Sequence, residues 1–180
     1  MRVLGAVLAG GAASRFGSDK ASALFDGRPL IDHVIAALAP QVDGLVVVGR
    51  DWPGHVRVDD LPVAGLGPLG GLCGALLHGL HHGFDAVLCA PCDTVGLPGD
   101  LVTRFGAGPT VARGQRSIGL WPASYGPTLL ARLTSGGSRA LHVWATSTEA
   151  REVDCGPLRN INRPADLELL TTRKGQPDER

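Results

Sequence analysis

Val3-Leu4-Gly5-Ala6-Val7-Leu8-Ala9-Gly10-Gly11-Ala12-Ala13-Ser14-Arg15-Phe16-Gly17-Ser18-Asp19-Lys20 reads as an apolar strand that opens into a glycine-rich loop carrying two cations. Glycines let a backbone turn tightly and bring its N–H groups close to an anion. Arg15 and Lys20 add positive charge where phosphate oxygens would lie. A Walker A loop requires Gly-Lys followed by Ser or Thr, and here Ser18 and Asp19 separate Gly17 from Lys20, so that loop is excluded. A strand followed by this loop points to a nucleoside triphosphate held at a strand end.

Working outward, strand-like and helix-like patterns alternate, which predicts an α/β fold with a parallel or mostly parallel sheet covered by helices. Pro29 suits a first helical turn, and Leu30, Ile31, Val34, Ile35 and Leu38 recur at helical spacing before Pro40. Leu45 to Val48 reads as the second strand. Val56 and Val58 lead to the carboxylates Asp59 and Asp60, and a helix is expected over Leu69 to Leu80. Ala86 to Ala90 reads as a buried strand ending in Pro91-Cys92-Asp93-Thr94. Ligands of open α/β sheets gather at the carboxyl ends of strands, so these acids are expected at the same edge as the glycine loop. Beyond them, strands are expected near Thr110 to Ala112, Ile118 to Trp121 and Glu152 to Asp154, and helices near Pro127 to Leu133 and Arg139 to Trp144. Asn162 is placed to cap a last helix with Pro164 just inside it.

The 180 residues suffice for one domain, taken as residues 1–170, that buries roughly 70% of its unfolded surface, with a polar, frayed tail over residues 171–180. Seventeen basic residues balance 17 acidic ones, so no broad nucleic-acid or membrane footprint is expected, and anion binding must come from local placement. No apolar run approaches the length needed to span a bilayer. Arg2 and the apolar residues after it superficially copy a secretory signal, but cleavage there would remove the loop. The four cysteines lack the spacing of a disulfide framework. A cytoplasmic protein with a small-molecule partner is expected.

Two patterns are decoys. Gly65-Leu66-Gly67-Pro68-Leu69-Gly70 satisfies G-x-G-x-x-G, with Asp85 twenty residues after Gly65. Pro68 removes an N–H from the would-be pyrophosphate cradle, and Asp85 precedes its strand where a ribose-binding acid should follow one. Cys89-Ala90-Pro91-Cys92 has redox spacing, but an odd separation along a strand sends the two thiols to opposite faces. His78, His81 and His82 share a helical face and are expected in solvent near the helix C-terminus.

Leu8, Gly10, Gly11, Arg15, Gly17 and Lys20 fall in the pattern L-x-G-G-x-x-x-R-x-G-x-x-K, which resembles the signature loop of the sugar-phosphate and cofactor nucleotidyltransferases. Adding Gly67-Pro68-Leu69-Gly70-Gly71, Pro91-Cys92-Asp93-Thr94 and Asn160-Ile161-Asn162-Arg163-Pro164-Ala165-Asp166-Leu167, the set resembles the molybdenum cofactor guanylyltransferases over nearly the whole chain. The resemblance implies a three-layer α/β/α Rossmann-like fold and transfer of GMP from GTP to the terminal phosphate of molybdopterin, with release of pyrophosphate and Mg2+ as cofactor. It also implies nucleotide contacts at Leu8, Ala9, Gly10, Gly11, Lys20, Asp60 and Asp93, metal at Asp93, and Arg15, Lys20 and Asp93 as the groups that carry the chemistry. A monomer or weak oligomer, with transient contacts to molybdenum cofactor biosynthesis proteins or apo-molybdoenzymes, goes with that role.

The chemistry asks for the same residue types. Attack on an α-phosphorus brings two anions together, so catalysis is mainly in-line positioning and charge neutralisation. Magnesium takes one or two carboxylates and keeps several waters, which suits Asp93, with Asn162 either a second oxygen ligand or only a helix cap. Asp60 is preferred to Asp59 on the resemblance. The chain departs from the family at Gly49-Arg50, where Asn is common, and at Gln115-Arg116, where many relatives show His-Pro. A cytidylyltransferase on the same pterin, or a transferase for another phosphorylated acceptor, needs almost the same loops, and a catalytically silent nucleotide-binding partner is the further alternative.

Overall fold

A computed structural model describes residues 1–10, 19–162 and 166. In chain order the strands are β1 (Val3–Leu8), β2 (Leu24–Phe25), β3 (Arg28–Pro29), β4 (Gly44–Val48), β5 (Val56–Val58), β6 (Ala86–Pro91), β7 (Thr94–Val95), β8 (Thr110–Ala112), β9 (Gln115–Pro122), β10 (Arg151–Val153) and β11 (Arg159–Asn160). The α-helices are α1 (Leu30–Leu38), α2 (Pro68–His81), α3 (Leu101–Phe105), α4 (Gly126–Thr134) and α5 (Leu141–Ser147). Gly11, Arg15, the last helix expected from Pro164 and the tail over residues 171–180 lie outside the described residues.

Among the described residues, seven strands form one sheet in the order β10-β8-β9-β6-β1-β4-β5. β1 pairs in parallel with both β4 and β6, with Leu8 opposite Val48 and Pro91. β9 runs antiparallel to β6 and β8, which makes the sheet mostly parallel, as the alternation of elements predicts. Side chains alternate between the two faces along each central strand, and both faces are buried. Leu4 and Ala6 of β1, Val46 and Val48 of β4, and Val87 and Cys89 of β6 face one apolar cluster with Leu69, Leu72 and Leu76 of α2, Leu129 of α4 and Trp144 of α5. Val3 and Val7, Val47, and Ala86, Leu88 and Ala90 face the other, with Ile31, Val34 and Leu38 of α1 and Leu101 and Phe105 of α3. Strands apolar on both faces are the mark of a parallel sheet covered on both sides, and the result is three layers, α/β/α.

Several local expectations shift. Pro29 ends the β2–β3 hairpin and precedes α1 as its flanking residue, so the helix starts at Leu30. The hairpin turns on Asp26 and Gly27, both at positive φ (48° and 75°), the geometry that Asp-Gly favours in two-residue turns. Pro68 occupies the first turn of α2, where its missing N–H costs nothing, and so the G-x-G-x-x-G stretch is a loop running into a helix start. The last strand of the large sheet is Arg151–Val153, one residue earlier than expected, because it pairs with Thr110–Ala112. α3 and the β7–β11 pair are additions that the sequence pattern does not announce.

The α2 helix sits unusually close to the end of β5. A methyl group on Gly74 would lie 2.1 Å from the Asp59 carbonyl oxygen, and one on Gly71 would lie 3.3 Å from side-chain atoms of both Leu8 and Val48. The Gly74 contact is with backbone, so the helix itself would have to move. Gly74→Ala is therefore expected to cost about 1–3 kcal/mol, the usual range for overpacking, in spite of alanine's better helix propensity. Urea unfolding tests this, and an unchanged midpoint would show that the helix has room to shift.

Candidate active site

The carboxyl ends of β1, β4, β5 and β6 lie side by side, which is where a sheet of this kind binds ligands. Backbone bonds hold the edge together: Ala9 N–H donates to the Val48 carbonyl at 2.9 Å, Cys92 N–H to that of Leu8 at 3.0 Å, and Gly49 N–H to that of Val58 at 2.8 Å. A cavity of about 250 Å3 opens there, lined by Leu8, Ala9, Gly10, Lys20, Arg50 and Asp93 among others. Of the residues expected to act on the nucleotide, Leu8, Ala9, Gly10, Lys20 and Asp93 line one cavity.

Lys20 begins a short 3-10 turn, Lys20–Ser22, that Asp19 caps by accepting from Ala21 N–H. Its ammonium reaches across the edge to form an ion pair with Asp93 and donates to Asn162 Oδ1 at 2.8 Å. The lysine and aspartate side chains are 19% and 16% exposed, enough burial to raise the value of the pair above that of a surface contact. Asp93 Oδ1 is buried and has no hydrogen-bond partner among the described residues. Asn162 arrives because β11 returns antiparallel to β7: Ile161 N–H donates to the Asp93 carbonyl at 2.9 Å, and Thr94 Oγ1 donates to Asn160 Oδ1 at 3.0 Å. The Asn162 backbone N–H donates to Asp166 at 2.7 Å, while its side-chain oxygen faces the lysine. The side chain thus joins the Lys20–Asp93 pair.

Asp59 and Asp60 differ in their surroundings. Asp59 forms an exposed ion pair with Arg57. Asp60 packs behind the cavity, with Oδ1 3.3 Å from where a Gly10 methyl would stand and 3.5 Å from a Gly71 methyl. Burial pushes its carboxyl above the ordinary range, and the neighbouring Asp59 charge adds to that. Gly49 has φ +84°, and a side chain there would come within 2.5 Å of Gly10 Cα. The glycine that departs from the family pattern is thus dictated by the crossing of two backbones.

One pair escaped the sequence reading. Arg50 Nη1 and Nη2 donate to the two oxygens of Asp19, each at 2.5 Å, in a bidentate bond. The only signal available was that Asp19 precedes Lys20 and Arg50 follows a strand ending at the same edge. The decoys stay apart from this chemistry. Cys89 packs in the α2-side cluster and Cys92 against the α1-side cluster, and burial pushes each thiol up to about 12. His78 and His82 stack at 4.0 Å at the far end of α2, about 20 Å of helix from the cavity. Among the described residues no three His, Cys, Asp or Glu side chains gather to hold a metal, so a magnesium ion would rest on the free Asp93 oxygen and on oxygens of its ligand. That donor set fits magnesium, which takes few protein carboxylates. Among the described residues no helix is long and apolar enough to cross a membrane.

The Arg50 hydrogen bonds lower the Asp19 carboxyl to about 2. A depressed carboxyl contributes stability above its unfolded value of about 3.9 and loses it as pH falls through the folded value. Asp19→Asn keeps the capping oxygen and removes the charge. Its urea midpoint should fall below that of the parent at neutral pH by a small margin, since the Asp19 side chain is 44% exposed. That margin should close as pH is lowered from about 5 to about 2.

Residues 5–148 match the MobA-like NTP transferase domain family. A molybdenum cofactor guanylyltransferase of Cereibacter sphaeroides is 36% identical over 182 residues, covering 93% of this chain and 94% of that protein. The Rhodobacter capsulatus protein of the same name is 33% identical and covers 98% of both. Among solved structures, molybdopterin-guanine dinucleotide biosynthesis protein A from Archaeoglobus fulgidus superposes with a TM-score of 0.72 at 19% identity, over 94% of this chain and 99% of that one. The 2-C-methyl-D-erythritol 4-phosphate cytidylyltransferase of Thermus thermophilus superposes with a TM-score of 0.67 at 17% identity, over 97% and 98%, a likeness of fold. With Gly10, Lys20, Asp93 and Asn162 meeting at one sheet edge, the chain belongs to the MobA-like NTP transferase domain family, alongside the molybdenum cofactor guanylyltransferases.

Proposed function

We propose that this protein transfers GMP from GTP to the terminal phosphate of molybdopterin. A phosphate oxygen of the acceptor attacks the α-phosphorus, the bond from that phosphorus to the α,β-bridging oxygen breaks, and pyrophosphate leaves. The observation that carries the reading is the Lys20 ammonium set against Asp93, whose second oxygen is buried with no partner among the described residues, in the cavity that Gly10 also lines. A lone buried carboxylate oxygen is costly unless something pairs with it, and a cation brought in with a triphosphate would do so.

Magnesium, held by Asp93 with Asn162 beside it, would supply charge neutralisation for the phosphate oxygens. The chain's own groups do the rest. The backbone of Leu8, Ala9, Gly10 and Gly11 receives the nucleotide, with Asp60 behind Gly10. On nucleotide binding Lys20 exchanges its carboxylate partner for triphosphate oxygens and stabilises the charge that builds on the leaving pyrophosphate, with Arg15 sharing that work. That the relatives are guanylyltransferases by name supports guanine over cytosine as the base.

Lys20→Ala is expected to lower kcat/KM by about 10²–10³-fold, as for the loss of one preorganised charge donor. Asp93→Ala should abolish metal-dependent turnover while leaving measurable GTP affinity, and chelation of divalent ions should do the same to the parent enzyme. A thermal-shift panel with Mg2+ and GTP, CTP, UTP, dTTP, ATP or NAD should single out GTP, since a ligand at about 100 times its Kd adds nearly 3 kcal/mol. Selectivity for CTP would redirect the assignment to cytidylyl transfer, and stabilisation by NAD alone would overturn it.

A further inference from the structure

The Arg50 side chain stands between the end of β4 and the turn that bears Lys20. Its two terminal nitrogens bind both oxygens of Asp19, a planar fork that fixes angle as well as distance. Asp19 in turn is the cap of the Lys20–Ser22 turn: it accepts from Ala21 N–H at 3.3 Å and from Ser22 Oγ at 2.7 Å. The guanidinium also lies 5.8 Å from the ring centre of Trp52, whose Nε1 donates to Asp32 Oδ1 of α1 at 2.8 Å. One end of this chain of contacts is a core helix; the other is the residue next to the lysine of the cavity. Arg50 lines that cavity as well.

Besides Asp19, the turn is held by Ala21, which packs into the core beside α1, and by Ala23, which accepts from Leu30 N–H. It is three residues long, and Ala21 is its buried member. A lysine on such a turn carries four rotatable bonds, so the direction in which its ammonium reaches Asp93 and Asn162 depends on where the turn's backbone is fixed. We propose that Arg50 is a positioning residue: by chelating Asp19 it locks the Lys20 turn to the end of β4 and so sets where the Lys20 ammonium meets the phosphates of the nucleotide. The inference rests on the nucleotidyltransferase reading and adds to it a residue that acts through another. It also gives the departure at Gly49-Arg50 a physical sense, since glycine permits the backbone crossing with Gly10 and the arginine after it supplies the lock.

The test is a double-mutant cycle in the full chain. Arg50→Gln, Lys20→Ala and the combination are compared with the parent by isothermal titration of magnesium GTP and by pyrophosphate release with molybdopterin. Arg50→Gln should weaken GTP binding about tenfold, Lys20→Ala at least as much, and the combination no more than Lys20→Ala alone, because the arginine acts through the lysine. Arg50→Lys should recover only part of the loss, an ammonium being unable to chelate both oxygens. Asp19→Asn, which preserves the cap, should reproduce the Arg50→Gln defect and guards against a variant that fails to fold. Parent-like affinity in Arg50→Gln, or a combination weaker than Lys20→Ala by the full Arg50→Gln factor, would overturn the positioning role. A parent that binds GTP but releases no pyrophosphate would sink the transferase reading instead, while the titration cycle still decides what Arg50 does.

Discussion

Three segments that are far apart in sequence meet at the Lys20 ammonium. It pairs with Asp93 at the end of β6 and with Asn162 just beyond β11, spans of 73 and 142 residues. A cation with two oxygen partners in a half-buried place satisfies groups that would otherwise be stranded as the chain closes on itself. The same arrangement readies the site. Preorganised charge is the largest resource of a phosphoryl-transferring enzyme, and here the charge is held by contacts that a triphosphate can replace.

That node can form only because the backbones at the strand ends approach unusually closely. Gly10 faces Gly49 across the end of the β1–β4 pair, and Asp60 fills the space beside both, with Gly71 of α2 completing its seat. Each glycine is required by a neighbour's position and not by a turn of its own, apart from Gly49, where positive φ and close approach coincide. The carboxylate of Asp60 is consequently desolvated, which makes it sensitive to what binds in front of it. Packing and electrostatics at this edge are one constraint: moving α2 outward to make room would hydrate Asp60 and loosen the seat of Gly10.

Much of this was legible in the sequence. The central strands announce themselves as apolar runs, and the residues at their ends are chemically distinctive, so Lys20, Asp60 and Asp93 could be set at one edge before any coordinates. Asp59 and Asp60, adjacent in sequence, differ in surroundings: Asp59 pairs with Arg57 and Asp60 packs against Gly10 and Gly71. What was not legible depends on register. Arg50 and Asp19 are 31 residues apart, and only the pairing of Leu8 with Val48 brings their segments level. The β7 and β11 strands have two residues each, too short for any periodicity to show, and their pairing is what brings Asn162 to Lys20. The β2–β3 hairpin did carry a signal in Asp26-Gly27, masked by the helix pattern that begins directly after it.

The return of β11 to β7 has a consequence for the order in which the protein becomes competent. During synthesis the strands β1, β4, β5 and β6 are all made by residue 91, whereas the core they share also takes Trp121, Leu129 and Trp144 from later elements. The strands that frame the pocket are therefore made long before its last side chain. Its last oxygen is delivered by a segment that pairs with the Asp93–Val95 stretch, so a chain cut before Asn162 lacks that oxygen whatever sheet it forms.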